Sequence, residues 1–355
     1  MDIIPIIDQI GEGPTAALFG AITGAVFGVA AQKSNFCLRA AAVELARGKF
    51  GGKVAVWFLT FSTALVWVQA AQLFGLFRES DSRMMSIPGS WSGAIIGGLM
   101  FGVGMVLSRG CSGRLLVLAS TGNLRSVVSG LIFAVTAQMS LKGILAPYRD
   151  RLASLWITPG GENVNLLMAL HLPDWSGLAI GIVFALAGLY LAARNQIGIR
   201  VWLFASGVGF AVAVGWVLTF TLAQVAFDPV PVNSVTFSGP SANTLMFFLD
   251  RHAVLEFDVG LVPGVVLGAF LSSLLSGQFR WQAFDSVPVM RRSMIGAVLM
   301  GFGAMLAGGC AIGNGVTGGS IFAATAWLAL FCMWIGAMVT DFLLDQRHLT
   351  PAQAC

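Results

Sequence analysis

The stretch GAVLMGFGAMLAGGC, residues 296–310, is an apolar run that ends on two glycines and a cysteine. GGLMFGVGMVLSRGC, residues 97–111, is its counterpart 199 positions earlier. Gly97, Gly102, Gly104, Leu107, Gly110 and Cys111 stand where Gly296, Gly301, Gly303, Leu306, Gly309 and Cys310 stand. A third copy, GAVFGVAAQKSNFC (24–37), aligns Gly24, Phe27, Gly28 and Cys37 with Gly98, Phe101, Gly102 and Cys111. In all three a glycine lies nine residues before the cysteine. Internal repetition decides an architecture before any local reading does. Here the repeated unit is an apolar segment running into a glycine-softened break.

Composition says what medium surrounds those segments. Hydrophobic residues make up 57% of the 355, charged residues 10%, and the mean hydropathy is +0.83. Soluble domains carry about 25% charge, so this chain needs a lipid-facing surface. Its 44 glycines and 10 tryptophans suit closely packed membrane helices with interfacial anchors. The N-terminus, MDIIPIIDQIGEGP, has no basic n-region, so no cleavable signal peptide is expected. Five cysteines without paired spacing form neither a disulfide framework nor a zinc site. The basic pI, near 9.0, comes from loop Lys and Arg and reports topology, not nucleic-acid binding.

A span needs roughly 17–25 apolar residues. Nine stretches qualify, at about 14–31, 53–77, 91–107, 124–145, 176–193, 201–222, 259–276, 293–307 and 322–344, the eighth of them short. Loop charges orient them. One set of loops carries 14 of the 20 basic residues, from Lys33 to Arg347; the other carries Arg78, Arg83, Lys142, Arg149, Arg151 and Arg251. The positive-inside rule puts the N-terminus outside and the C-terminus in the cytoplasm. Residues 146–174 are expected to form an external cap with a short amphipathic helix. Residues 228–250 hold Pro, Gly and Ser before a short apolar run, which reads as a re-entrant half-helix.

The same topology makes the span before Cys111 run inward and the span before Cys310 run outward. Equivalent breaks entering from opposite faces are the mark of inverted-topology repeats with a site near the midplane. The inverted partner of Cys37 falls near Thr236, in the break SVTFSGPSAN. Four related breaks are expected, three bearing cysteine and one bearing Ser and Thr. Glycines permit the irregular backbone, which survives at membrane depth only where protein covers it or it lines a cavity. The expected architecture is an all-α integral membrane protein, a single membrane transport domain over 1–355. Its repeat halves are about 15–145 and 201–344, joined by a linker span and cap at about 146–200.

A half-helix N-terminus offers free backbone N–H groups and the positive end of the helix dipole, which draw anions. A thiol adds a weak S–H donor and a polarizable sulfur. An anion with an oxygenated end and a sulfur end matches both, and thiosulfate is such an anion. The expected path residues are Cys37, Cys111 and Cys310 with Gly110, Gly309, Thr236, Ser238, Ser241 and Asn314. Arg109 and Arg114, beside the breaks, would draw the anion inward. Each feature has a structural alternative. The cysteines could fill gaps between helices, the arginines could be topology anchors, and the hydroxyls could cap backbone. Cys332 has no glycine break and reads as packing; Cys355 is a tail residue. His171, His252 and His348 lie outside the spans, so neither a metal site nor a proton relay is expected. The spans show no intramembrane acidic pair.

SNFCLRAA (34–41), SRGCSGRLL (108–116), SVTFSGPSA (234–242) and GGCAIGNGVTGGS (308–320) resemble the breaks of the YeeE/YedE family, over about residues 15–344. That resemblance implies an hourglass-shaped fold of nine spans with short re-entrant helices. It also implies thiosulfate uptake across the bacterial inner membrane and three cysteines in line, here Cys37, Cys111 and Cys310. A small TusA-like sulfur carrier on the cytoplasmic side is an implied partner, and no cofactor is expected. Residues 146–174 have no counterpart in the resemblance. The runner-up is a membrane sulfurtransferase in which a thiolate attacks the substrate and carries a persulfide; a third reading is a channel for another small sulfur or selenium solute. The absence of a histidine near the breaks ranks the transporter above the enzyme.

Overall fold

The computed structural model describes residues 4–283 and 286–345; Arg347, His348 and Cys355 lie outside them. The described residues are helical, with only isolated bridges between loops. In chain order the helices are α1 (Ile4–Ile10), α2 (Glu12–Ser34), α3 (Leu38–Ala46), α4 (Gly52–Leu73) and α5 (Trp91–Leu107). Then come α6 (Ser112–Ser120), α7 (Leu124–Leu141), α8 (Ala146–Ala153), α9 (Leu166–Ala169) and α10 (Ser176–Arg194). The chain continues through α11 (Ile199–Ala223), α12 (Ser238–Leu249), α13 (Phe257–Leu275), α14 (Val287–Leu306), a π-helical segment (Gly313–Gly318) and α15 (Ala324–Thr340). Among the described residues nine segments are long and apolar enough to cross a membrane, and this is a multi-pass, all-α membrane protein.

Glycine decides how the long helices meet. In α5 and α14, a Cβ on Gly104 would stand 2.6 Å from the Gly296 carbonyl oxygen, and one on Gly97 would stand 2.5 Å from that of Gly303. The two helices therefore touch backbone to backbone and run antiparallel. Along α2 and α13, Gly20, Gly24 and Gly28 sit directly on the carbonyls of Phe257, Leu261 and Val265, so that pair is parallel. With no hydrophobic effect between helices inside lipid, such close approach and its dispersion energy hold them together.

Contacts recur in pairs. α5 packs on α15 as α14 packs on α7, α2 packs on α13 as α11 packs on α4, and α12 meets α7 as α3 meets α15. α10 stands outside these pairs and lies along α4.

Two details differ from the sequence reading. The eighth span is not short. Pro288 in its first turn starts the helix at Val287, and Arg291 is carried within it as an exposed residue. The 146–174 segment forms two short helices, not one, because Gly160 and Gly161 both take positive φ between them. Its backbone is sewn to the starts of α5 and α15. Trp91 N–H donates to Trp156 O, Leu166 N–H to Phe322 O, and Ala324 N–H to Val164 O. The Asn163 side chain adds a 2.8 Å bond to Thr325 Oγ1.

Candidate substrate path at the helix breaks

Each cysteine break begins the same way. Two residues before the cysteine the backbone turns left-handed: Asn35 (φ 52°), Arg109 (φ 57°) and Gly308 (φ 76°). This is the αL termination that ends many helices. It is unstrained for glycine, tolerated by asparagine and unfavourable for arginine. The cysteine then resumes extended geometry, so that Cys37 is the N-cap of α3 and Cys111 the N-cap of α6. Cys310 leads through Ala311 and Ile312 into the Gly313–Gly318 segment.

The breaks come together. The thiols of Cys37 and Cys111 face one another, and Cys310 interacts electrostatically with Cys111. Cys37 is half-buried; Cys111 and Cys310 are fully buried. Cys310 Sγ accepts from the backbone N–H of Phe237 at 3.3 Å and of Gly313 at 3.5 Å, with Thr236 Oγ1 3.8 Å away. Thr236 Oγ1 in turn lies 3.4 Å from Ser238 Oγ. A Cβ on Gly113 would touch Ile312 Cδ1 at 3.0 Å and the Phe237 ring at 3.1 Å. Phe27 of α2 closes on the same ring, edge to face at 5.2 Å. Residues from 35–37, 111–114, 236–238 and 310–314 thus share one centre.

Asn314 shapes the last break. Its Nδ2 donates to Ala307 O at 3.1 Å and Gly309 O at 2.8 Å, tying off carbonyls that the end of α14 leaves open. Gly309 lies against this amide, and Gly110 holds the matching place before Cys111. Arg114 donates to Asn35 Oδ1 at 3.1 Å, linking the Cys111 break to the Cys37 break, and both Arg114 and Arg39 interact electrostatically with Cys37. Arg109 is exposed at the end of α5. Ser241 lines a lateral crevice together with Ser112. Cys332 packs at the α5–α15 contact, where a Cβ on Gly98 would meet it at 2.8 Å.

The chain matches the family described as Sulphur transport over residues 33–339. It belongs to that family. Two relatives extend the Sulphur transport match to nearly full length. The thiosulfate transporter TsuA of Escherichia coli (strain K12) is 26% identical, covering 95% of this chain and 97% of that protein. The thiosulfate transporter TsuA of Spirochaeta thermophila is 25% identical, covering 92% of this chain and 99% of that protein.

Three participants in the centre escaped the sequence reading. Phe237 acts through its backbone N–H and so leaves no mark in its residue type. Asn35 shares its place with Arg109 and Gly308, two before each cysteine, and aligning the breaks on cysteine would have exposed it. Asp258, buried in the first turn of α13, accepts from Asn243 Nδ2 at 2.9 Å and anchors α12 to α13. It stands one residue before the span read at about 259–276.

Proposed function

We propose that this protein carries thiosulfate, or a closely related sulfur-containing anion, across the bacterial inner membrane through the centre where the breaks meet. Cys37, Cys111 and Cys310 form a succession of soft contacts for the terminal sulfur of the anion. Its oxygens are held by backbone N–H groups at the starts of α3, α6 and α12 and by the hydroxyls of Thr236 and Ser238. Ser241 stands farther along α12, and Arg109 and Arg114 draw the anion on by charge. No covalent bond forms, so the protein acts as a transporter and not as an enzyme. The observation that carries this reading is the meeting of Cys310 Sγ with the Phe237 and Gly313 amides, beside the facing thiols of Cys37 and Cys111.

The paired packing supports two inverted halves, about 15–145 and 201–344, around an hourglass waist. Shifting α5 and α7 by 199 residues lands on α14 and α15, and the contacts of α5 with α15 and of α14 with α7 exchange under that shift. In this reading α3, α6 and α12 are re-entrant half-helices, the N-terminus lies outside, and the C-terminus faces the cytoplasm. A small TusA-like carrier on the cytoplasmic side would receive the sulfur cargo.

Labelled thiosulfate uptake tests the proposal in cells that lack other routes. The wild-type chain is expected to restore uptake, with sulfate competing poorly because it lacks the soft end. A Cys111→Ala, Cys310→Ala double variant that inserts normally is expected to lose it. Undiminished uptake in that variant would reject the thiol succession.

A further inference from the structure

A crevice of about 290 Å³ lies between α6, α7 and α12, with Val262 of α13 at its back. Its walls are apolar, chiefly Leu115, Leu116, Leu131, Phe133, Leu245 and Phe248. It follows α7 from Ser126 to Ala134, a length of about 12 Å at the helical rise. Its rim belongs to the outer surface: Val127 is 36% exposed, Leu131 55% and Phe248 77%. Gly130 keeps the mouth open, for among the described residues nothing lies within 4 Å of where its Cβ would be. The buried hydroxyls of Ser112 and Ser126 line the crevice and have no hydrogen-bond partner among the described residues.

The residues 199 positions on from the crevice walls are packed instead: Ala311, Asn314, Ala326, Ala329, Leu330 and Met333 are all buried.

We propose that the crevice holds one acyl chain of a membrane phospholipid. The volume spread over its length leaves a cross-section of roughly 24 Å². That admits one extended hydrocarbon chain and not a whole helix about 10 Å across. Water does not occupy apolar cavities, and the medium at a mouth on the lipid-facing surface is hydrocarbon. Ser126, in the first turn of α7, marks the boundary end of the crevice. The chain then runs inward beside Gly130 until Ser112, the neighbour of Cys111, closes the end. The bound chain lies against both α6 and α12 and sets how closely their N-termini approach. This holds whichever anion the protein carries.

Photo-cross-linking decides it. Purified protein is placed in nanodiscs of phosphatidylethanolamine bearing a diazirine midway along one acyl chain, and labelled peptides are mapped by mass spectrometry. Label is expected on Leu115 and Leu116 of α6, besides the freely exposed Leu186 and Tyr190 of α10. Gly130→Trp is expected to remove the α6 label and leave the α10 label intact. Gly130→Leu, a smaller plug, carries the same expectation should the tryptophan disturb the fold. Absence of α6 label in the wild type would overturn the proposal. So would α6 label that survives both plugs, or α6 peptides joined to a second copy of the chain.

Discussion

The Cys111 and Cys310 breaks begin alike in sequence and end differently in structure. Both follow an apolar helix, a left-handed residue and a glycine. After Cys111 the chain enters a regular nine-residue helix, with Arg109 exposed just before the break and Arg114 half-buried just after it. After Cys310 it enters a π-helical segment in which all six residues are buried. The glycines of GNGVTG give the backbone freedom; side chains then fix it. Asn314 holds two carbonyls, and Thr317 Oγ1 donates to Val235 O at 2.5 Å. One motif therefore yields a break that local propensity sustains and another that tertiary hydrogen bonds sustain.

That contrast can be broken by substitution. The largest effect is expected at Gly313, whose Cβ would collide with Thr236 Oγ1. Gly313→Val should abolish thiosulfate uptake. Gly113→Ala, whose Cβ would come no nearer than 3.0 Å to its neighbours, should retain much of it; equal losses in the uptake assay would erase the distinction. Next comes Asn314→Ala. It strands the Ala307 and Gly309 carbonyls in a buried site and should destabilise by about 1–3 kcal/mol. A thermal-unfolding midpoint unchanged from wild type would show that these bonds hold nothing.

Exchanging the left-handed residues sharpens the comparison. Gly308→Ala should cost about 1 kcal/mol, whereas Arg109→Gly should be neutral or stabilising, since the left-handed region penalises a Cβ by about 1–2 kcal/mol. Thermal midpoints of the two variants moving in the same direction would contradict the assignment. The smallest effect is expected for Arg114→Ala, where loss of the partly exposed bond to Asn35 should lower stability by at most about 1 kcal/mol. A larger drop in midpoint would mean that Arg114 joins the two breaks more firmly than its one bond indicates.

Much of this was legible before any coordinates. Nine spans followed from apolar length, and the positions of Cys37, Cys111 and Cys310 followed from glycine spacing. The start of α14 was not legible, because Arg291 and Arg292 end an apolar run without ending a helix. Nor was the π-helical segment, because glycine signals freedom without signalling which conformation fills it. The Phe237 amide was invisible for a deeper reason: a backbone donor is supplied by every residue except proline, so only folding reveals which one is aimed.

The seams of α5 with α14 and of α2 with α13 carry a mechanical consequence. Where carbonyl rests on glycine, a slip of one residue brings a side chain onto the opposing backbone, so these pairs have a single register. Each seamed pair therefore behaves as one piece. Between the group built on α2 and α13 and the group built on α5 and α14 stand the short pieces α3, α6, α12 and Gly313–Gly318, so any relative movement of the two groups is felt there first.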